Sequence, residues 1–242
     1  MESSRPDISI VILCYRSEDF APIFIQEVEN SLSKTNLTYE LVLVANFFLN
    51  PEKIDRTAKI VTELAKDNPR LIVVAKEKQG MMGWDMRTGL DAANGNTIAV
   101  IDGDGQMPPE DIIKVYRALN SGQFAVAKTY RDQRFDGAKR RIISKVYNLL
   151  LKSLFPKVTV CDVNSKPKIF TREALQKLNL TSDDWFIDAE IIIRASYLNL
   201  PINEIATQFH PNKHRKSFIR PSAILEFLKN LVRYRLKMSF SK

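Results

Sequence analysis

Apolar residues in the first half of the chain fall into short unbroken runs, and between the runs they recur every three or four positions. The runs are ISIVILCY (residues 8–15), YELVLVANFF (39–48), RLIVVAK (70–76), TIAVIDGDG (97–105) and FAVAKTY (124–130). They are rich in β-branched side chains and apolar at successive positions, which predicts strands buried on both faces. The segments between them predict helices. Phe20, Ile23, Phe24, Val28 and Leu32 line one face of the first. NPEKIDRTAKIVTELAKDNP has Pro51 near its start and Pro69 just beyond its end, where proline suits a helix. GWDMRTGLDAANGN is a short third helix closed by Gly95, and PPEDIIKVYRALNSGQ a fourth. This alternation predicts an α/β fold with a mostly parallel central sheet flanked by helices. Ligands of such sheets bind beyond the carboxyl ends of the strands, which directs attention to residues 15–18, 45–48, 76–83 and 102–106.

Beyond residue 130 the pattern changes. GAKRRIISKVYNLLLKSLFPK is a basic amphipathic segment, VCDVNSKPKIF reads as a strand or loop, and WFIDAEIIIRASYLN as a helix. The chain ends in SAILEFLKNLVRYRLKMSFSK, with Ile224, Phe227, Leu228, Leu231 and Val232 toward one side and Lys229, Arg233, Arg235 and Lys237 largely elsewhere. The expected division is one domain over residues 1–220 and a basic amphipathic helix over 221–242. That helix suits a membrane interface, or docking on the domain or on a membrane-protein partner.

The chain has 242 residues, 45% hydrophobic and 26% charged, which is ordinary for a globular protein. The net charge of +8 is less ordinary and points to an anionic partner: nucleic acid, a membrane surface or a phosphorylated substrate. No RNA- or DNA-binding motif supports nucleic acid. Cys14 and Cys161 lack metal-ligand spacing and, as free thiols, suit a reducing cytoplasm. The MESSRPD start lacks a signal-peptide core, and no apolar run reaches the ~18 residues of a spanning helix. The expected location is the cytoplasm, peripheral on the cytoplasmic membrane face if a membrane is involved.

In IAVIDGDGQMPPEDI, Asp102 and Asp104 leave the fourth strand with Gly103 and Gly105 beside them. Two readings stand. Asp-Gly pairs form surface turns. Alternatively both carboxylates, with the Gln106 amide oxygen, converge on Mg²⁺ or Mn²⁺, hard cations that take one or two carboxylates plus substrate phosphates.

DGDGQMPPED is similar to Asp-Ala-Asp-Leu-Gln-His-Pro-Pro-Glu, matching at Asp102, Asp104, Gln106, Pro108, Pro109 and Glu110. VILCYRSED is similar to Val-Pro-x-Tyr-Asn-x-Glu at Tyr15 and Glu18, and GMMGWDMRTGLDAANGN keeps the Arg87, Gly89 and Gly95 of a glycine-rich helix signature. RDQRFDGAKRRIISKVYNLL carries Arg-x-x-Arg and Arg-x-x-Ser, and FIDAEIIIRA carries Phe-x-Asp-x-Glu. Over residues 8–217 the chain thus resembles family 2 glycosyltransferases of the GT-A (nucleotide-diphospho-sugar transferase) fold, in the dolichol-phosphate mannose synthase and polyprenyl-phosphate glycosyltransferase branch.

The resemblance implies an inverting, metal-dependent transferase moving a sugar from a UDP- or GDP-sugar to a polyprenyl phosphate. It implies Asp102, Asp104 and Gln106 as metal ligands. It implies donor nucleotide contacts at Leu13, Tyr15, Glu18, Asn46, Gly80, Arg87, Asp102 and Gly103. Arg131, Arg134, Arg140, Arg141 and Ser144 would receive the acceptor phosphate, and Asp104, Asp188, Glu190 and Arg131 would serve catalysis. A lipid phosphate is already anionic, whereas a glycan hydroxyl, the alternative acceptor, needs a base such as Asp188 or Glu190. Asp188 and Glu190 read equally as loop caps or partners of Arg194, and Asp162 orders the acceptor loop or makes a turn. Some positions depart from the pattern. Ala45 and Asn46 stand where the family has paired acids, Leu13 replaces a proline and Arg16 an asparagine. HPNKHRKSF keeps Ser217 without the family's glycine and arginine in register. His210 and His214 in that loop read as surface residues or as metal or diphosphate contacts, and Lys213, Arg215 and Lys216 as contacts to the diphosphate or the lipid phosphate. The altered second strand leaves open a donor-binding-impaired GT-A-like partner subunit.

Overall fold

The structure is a computed structural model and describes residues 5–49, 54–135, 137–212 and 222–240. Strands β1 (Ile8–Leu13), β2 (Tyr39–Val44), β3 (Leu71–Val74) and β4 (Thr97–Asp102) are the expected buried runs, and they pair in parallel. β5 (Val126–Arg134), β6 (Lys168–Thr171) and β7 (Ile202–Phe209) complete a seven-stranded sheet of order β3-β2-β1-β4-β6-β5-β7. β6 runs antiparallel to both β4 and β5, and β7 runs parallel to β5. The mostly parallel sheet is thus as expected.

Alternation along the strands splits the core into two layers. Ile8, Ile10 and Ile12 of β1 face α1 (Phe20–Leu32), α2 (Thr57–Ala65) and α4 (Asp111–Asn120), meeting Phe24, Val61 and Ile112 in one cluster. Val11 and Leu13 face the other way, toward Met86 of α3 (Met82–Ala92), Leu151 of α5 (Ala138–Leu154), Leu178 of α6 (Arg172–Leu178) and Ile191 of α7 (Ile187–Tyr197). α8 (Ser222–Phe240) docks on this second layer: Leu231 is buried, Tyr234 packs on Phe155 and Phe186, and Asn230 Nδ2 donates to Asp184 Oδ2 at 2.6 Å. Of the apolar face expected for this helix, Leu228 and Val232 stay exposed, while the side chains of Ile224, Phe227 and Lys237 lie outside the described residues.

Three local expectations are corrected. α2 begins at Thr57 rather than near Pro51, which lies outside the described residues. Asp55 fixes that start, its Oδ1 accepting from Thr57 N at 3.0 Å. β5 extends to Arg134, past the predicted end at residue 130, because β7 pairs along its whole length. β7 itself was not anticipated. INEIATQF is polar or half-exposed at most positions, since this edge strand buries little of itself.

α3 lies close on the sheet because Gly89 has no side chain. A Cβ there would stand 2.4 Å from Val11 Cγ1 and 2.6 Å from Val44 Cγ2. Gly89→Ala is therefore expected to cost roughly 1–3 kcal/mol by overpacking, read as a lowered urea midpoint at unchanged m-value.

Candidate active site

The sheet reverses its direction of growth between β1 and β4, so the crevice beyond their carboxyl ends is where an α/β sheet takes its ligand. After β1 the chain turns through Arg16 and Glu18, both at left-handed φ (57° and 40°). Asp55 Oδ2 accepts from Arg16 N at 3.1 Å, and Thr57 Oγ1 accepts from Glu18 N at 2.9 Å, which holds this unfavourable backbone in place. Ser17 Oγ donates to Gly103 O at 2.9 Å, and Gly103 N donates to Leu13 O at 3.0 Å, so the loops after β1 and β4 are tied together. Leu13 and Gly103 thus meet the crevice through backbone.

Asp102 and Asp104 stand there, both partly exposed. Asp104 Oδ1 accepts from Gln106 N at 3.1 Å, the bond expected of a surface turn, and Oδ2 accepts from Asn212 Nδ2 at 3.4 Å. The turn and the ligand roles are compatible, because a carboxylate has about four lone-pair sites. Gln106 is nearly buried and clasps the end of β7: its Nε2 donates to His210 O at 2.9 Å and its backbone O accepts from His210 N at 2.9 Å. The His210 ring stacks on Phe135, with centroids 6.0 Å apart. Among the described residues no three His, Cys, Asp or Glu side chains gather into a metal cage. Two carboxylates beside a glycine turn nonetheless fit a divalent ion that takes most of its ligands from water and a diphosphate.

Sequence reasoning missed a set of buried lysines behind Asp102. Lys166, just before β6, puts Nζ 3.3 Å from Asp102 Oδ1 and 3.4 Å from Oδ2, and 3.0 Å from Asp188 Oδ2. Lys168 holds the other oxygen of Asp188. Lys128 on β5 is equally buried and bonds Glu204 at 3.0 Å. Burial pulls the Lys168 ammonium down to about 8 even with Asp188 beside it. Burial acts the same way on Lys166, but Asp102 and Asp188 together outweigh it and hold that ammonium above its ordinary value. Asp188 is pushed up by its own burial, and the two lysines more than reverse this. The signal was present: lysines at alternate positions of an apolar stretch, KPKIF, are costly unless paired.

Several candidates have other work. Asp188 is a fully enclosed counter-ion, not a base facing a ligand. Glu190 is also enclosed: it accepts from Thr181 N at 3.1 Å and Ser182 N at 2.8 Å and pairs with Arg194 at 3.3 Å. Arg87 pins the same loop from α3 by pairing with Asp183, and a Cβ at Gly80 would stand 2.6 Å from Asp183 O. Asn46 is wholly buried; its Nδ2 donates to Asp85 Oδ1 at 3.0 Å and Thr88 Oγ1 at 2.9 Å, and its Oδ1 accepts from Lys76 N at 2.8 Å. It therefore braces α3 instead of offering a free edge to a base. Lys78, missed in the sequence, pairs with Asp85 and sits 4.2 Å from the centroid of the Tyr15 ring. Burial drives that pair toward neutrality, Lys78 down and Asp85 up.

A cleft of about 760 Å³ opens between β5 and α5, lined by Arg131, Phe135, Arg141, Ser144, Leu149 and Asp162 among others. Arg131 is clamped by Asp162, Nε to Oδ2 at 2.6 Å and Nη2 to Oδ1 at 2.8 Å, which holds the Asp162 carboxyl well below the usual range against its burial. Asp162 thus ties its loop to β5 through Arg131, and its Oδ1 also accepts from Asn164 N at 3.3 Å, the turn bond of its other reading. Arg140 is exposed on α5, and the Arg134 side chain lies outside the described residues, as do Lys213, His214, Arg215, Lys216 and Ser217. Part of the apolar surface of α5 looks outward, while Leu151 is buried in the core: Ile142 is 62% exposed, Val146 51% and Leu149 67%. Among the described residues no helix is long and apolar enough to cross a membrane.

Residues 9–180 match the family described as glycosyl transferase family 2. An undecaprenyl-phosphate 4-deoxy-4-formamido-L-arabinose transferase of Pseudomonas fluorescens is 31% identical over 60% of this chain and 41% of its own length. A dolichol-phosphate mannosyltransferase of Pyrococcus furiosus is 25% identical over 93% of this chain and 63% of its own. The chain therefore spans roughly two fifths to two thirds of these relatives. Among solved structures, glucosyl-3-phosphoglycerate synthase from Mycobacterium tuberculosis, in complex with Mn²⁺, UDP and glucosyl-3-phosphoglycerate, superimposes with a TM-score of 0.65 at 19% identity, covering 98% of this chain and 79% of that one. The same enzyme has been crystallised with Mg²⁺ and UDP.

Proposed function

The chain belongs to glycosyl transferase family 2, and from that premise we propose that it moves a sugar, with inversion, from a UDP- or GDP-sugar at the β4 carboxylates to a polyprenyl phosphate in the cleft beside α5. The observation that carries this reading is the cleft itself. Arg141 lines it together with Lys145 and Lys152, while Leu149 on the same helix points an apolar side chain outward. Cations beside exposed apolar surface suit a phosphate headgroup on an isoprenoid tail at the cytoplasmic membrane face. Phe135 connects the two sites: it lines the cleft and stacks on His210, which clasps the Gln106 that follows Asp104.

Asp102 and Asp104 would hold Mg²⁺ or Mn²⁺. When bound, the ion supplies a Lewis acid that neutralises the departing diphosphate. The chain's own residues do the rest. The tied loops after β1 and β4 orient the donor, Arg141 and Ser144 position the acceptor phosphate, and the Arg131–Asp162 clamp fixes that wall. A phosphate oxygen needs no general base, and the enclosure of Asp188 and Glu190 agrees with that. One observation favours a second reading, a donor-binding-impaired partner subunit: Asn46 spends its hydrogen bonds internally.

Calorimetry of Mn²⁺ with UDP and with GDP separates the two. Metal-dependent nucleotide binding at millimolar concentration or tighter is expected, and none would sink the catalytic reading. Product analysis with a polyprenyl phosphate against an oligosaccharide then decides the acceptor.

A further inference from the structure

α5 has two apolar faces. One turns inward, where Leu151 is buried and Tyr147 and Leu154 pack against the core. The other carries Ile142, Ile143, Val146, Leu149 and Leu150, all exposed. With about 100° between successive residues, these five fall within about 120° of arc on a helix about 25 Å long. A band that wide is what a helix ordinarily buries, and a soluble monomer rarely leaves such a patch open. α5 also holds five basic residues, Lys139, Arg140, Arg141, Lys145 and Lys152, and no acidic one. The same spacing puts Arg140 on one border of the band and Lys145 and Lys152 on the other. The cleft runs along that second border, since Arg141, Lys145, Leu149 and Lys152 all line it. α8 packs beside α5 and adds Leu228, Val232 and Leu236, exposed at every fourth position.

The borders decide what covers the band. A second copy would bring two acid-free helices face to face, with like charges along both borders. An anionic bilayer surface meets both features: the apolar band enters the acyl boundary while the flanking lysine and arginine stems reach the headgroups. We propose that α5 lies in the plane of an anionic membrane surface, seated by the band from Ile142 to Leu150 with α8 beside it, so that the mouth of the cleft opens at the level of the headgroups. This rests on the polyprenyl-phosphate reading above and deepens it, because the acceptor then enters the cleft sideways from the lipid and not from water.

The test is flotation of the full chain with vesicles of phosphatidylcholine, or of phosphatidylcholine with one third phosphatidylglycerol, neither containing polyprenyl phosphate or nucleotide. Wild type is expected to partition at least tenfold more strongly onto the anionic vesicles, a preference that falls in high salt. Ile142→Gln with Val146→Gln, neither of which lines the cleft, is expected to weaken vesicle binding at least tenfold at an unchanged unfolding temperature, since glutamine suits an exposed helical position better than a β-branched residue. Val146→Gln alone, the milder change, is expected to weaken it about threefold or more. Ile23→Gln, comparably exposed on α1 across the sheet, is expected to leave it unchanged, which separates seating by α5 from general adsorption. Absence of wild-type binding, or a loss in the α5 variants no larger than in Ile23→Gln, overturns the inference. So does a lipid-free dimer, seen by light scattering and dissolved by the same α5 changes, with no vesicle binding, because a second copy then covers the band. Either result leaves the transferase reading standing, since these vesicles carry neither donor nor acceptor. Failure of Mn²⁺-dependent nucleotide binding strikes that reading and leaves the vesicle result untouched.

Discussion

Replacing Asp104 with alanine is expected to lower kcat/KM by about 10²–10³-fold, the usual loss when an electrostatic contact to developing charge is removed. Stability is expected to change little, within roughly 0.5–1 kcal/mol, because the side chain is partly exposed at the surface of a turn. The contrast between a large kinetic loss and a small thermal one is what a ligand to the departing diphosphate should give. Turnover with a polyprenyl phosphate acceptor and thermal unfolding on the same preparation check it. Retained turnover refutes the assignment. Asp102→Ala is expected to behave less cleanly, since it also deprives the buried Lys166 of a partner.

Asp188→Ala is expected to reverse that contrast. It would leave Lys166 with Asp102 alone and Lys168 with no carboxylate among its described ion pairs, both inside the sheet. Breaking a buried ion pair from one side costs about 3–5 kcal/mol, enough to bring a domain of ordinary stability near its limit. The wild type should show the matching pH dependence. The folded-state pKa of Asp188 lies below its ordinary value, so its contribution is fully present above the unfolded carboxylate pKa and fades as pH falls through that value toward the lower folded one. Urea unfolding between neutral pH and pH 3 should show wild-type stability falling toward that of Asp188→Ala. Parallel curves would mean that Asp188 does not hold its lysines as described.

The sequence carried β1 to β5 and the helices between them because each strand is apolar on both faces and each helix keeps a periodic stripe. It did not carry β7, whose polar, half-exposed residues look like loop until they are seen along β5. Nor did it carry the reversed direction of β6, since four residues, KIFT, read the same in either orientation. The crevice was legible at Asp102 and Asp104 from their place at a strand end. At Asn46, Glu190 and Arg87 the sequence left the partner open, because polarity in an apolar context signals a constraint without saying whether a ligand or the protein's own groups meet it. All three are met by the protein. The lysines behind Asp102 are visible as charges in apolar runs, but their partners come from α7 and β4, which only the fold brings together.

The placing of β6 between β4 and β5 governs how such a chain can be made. On a ribosome β5 appears before either of its final neighbours, β6 and β7, and β4 gains its second neighbour only when residues 168–171 have emerged. Until then the nascent sheet has two open edges, one of them the strand that ends in Asp102. Closure by β6 joins the halves through pairings distant in sequence, a slow topology to reach. The same short strand is preceded by Lys166 and begins with Lys168, so the charges around Asp188 and Asp102 meet in the step that seals the sheet. A nascent chain short of this point lacks both its bolt and the cations behind Asp102.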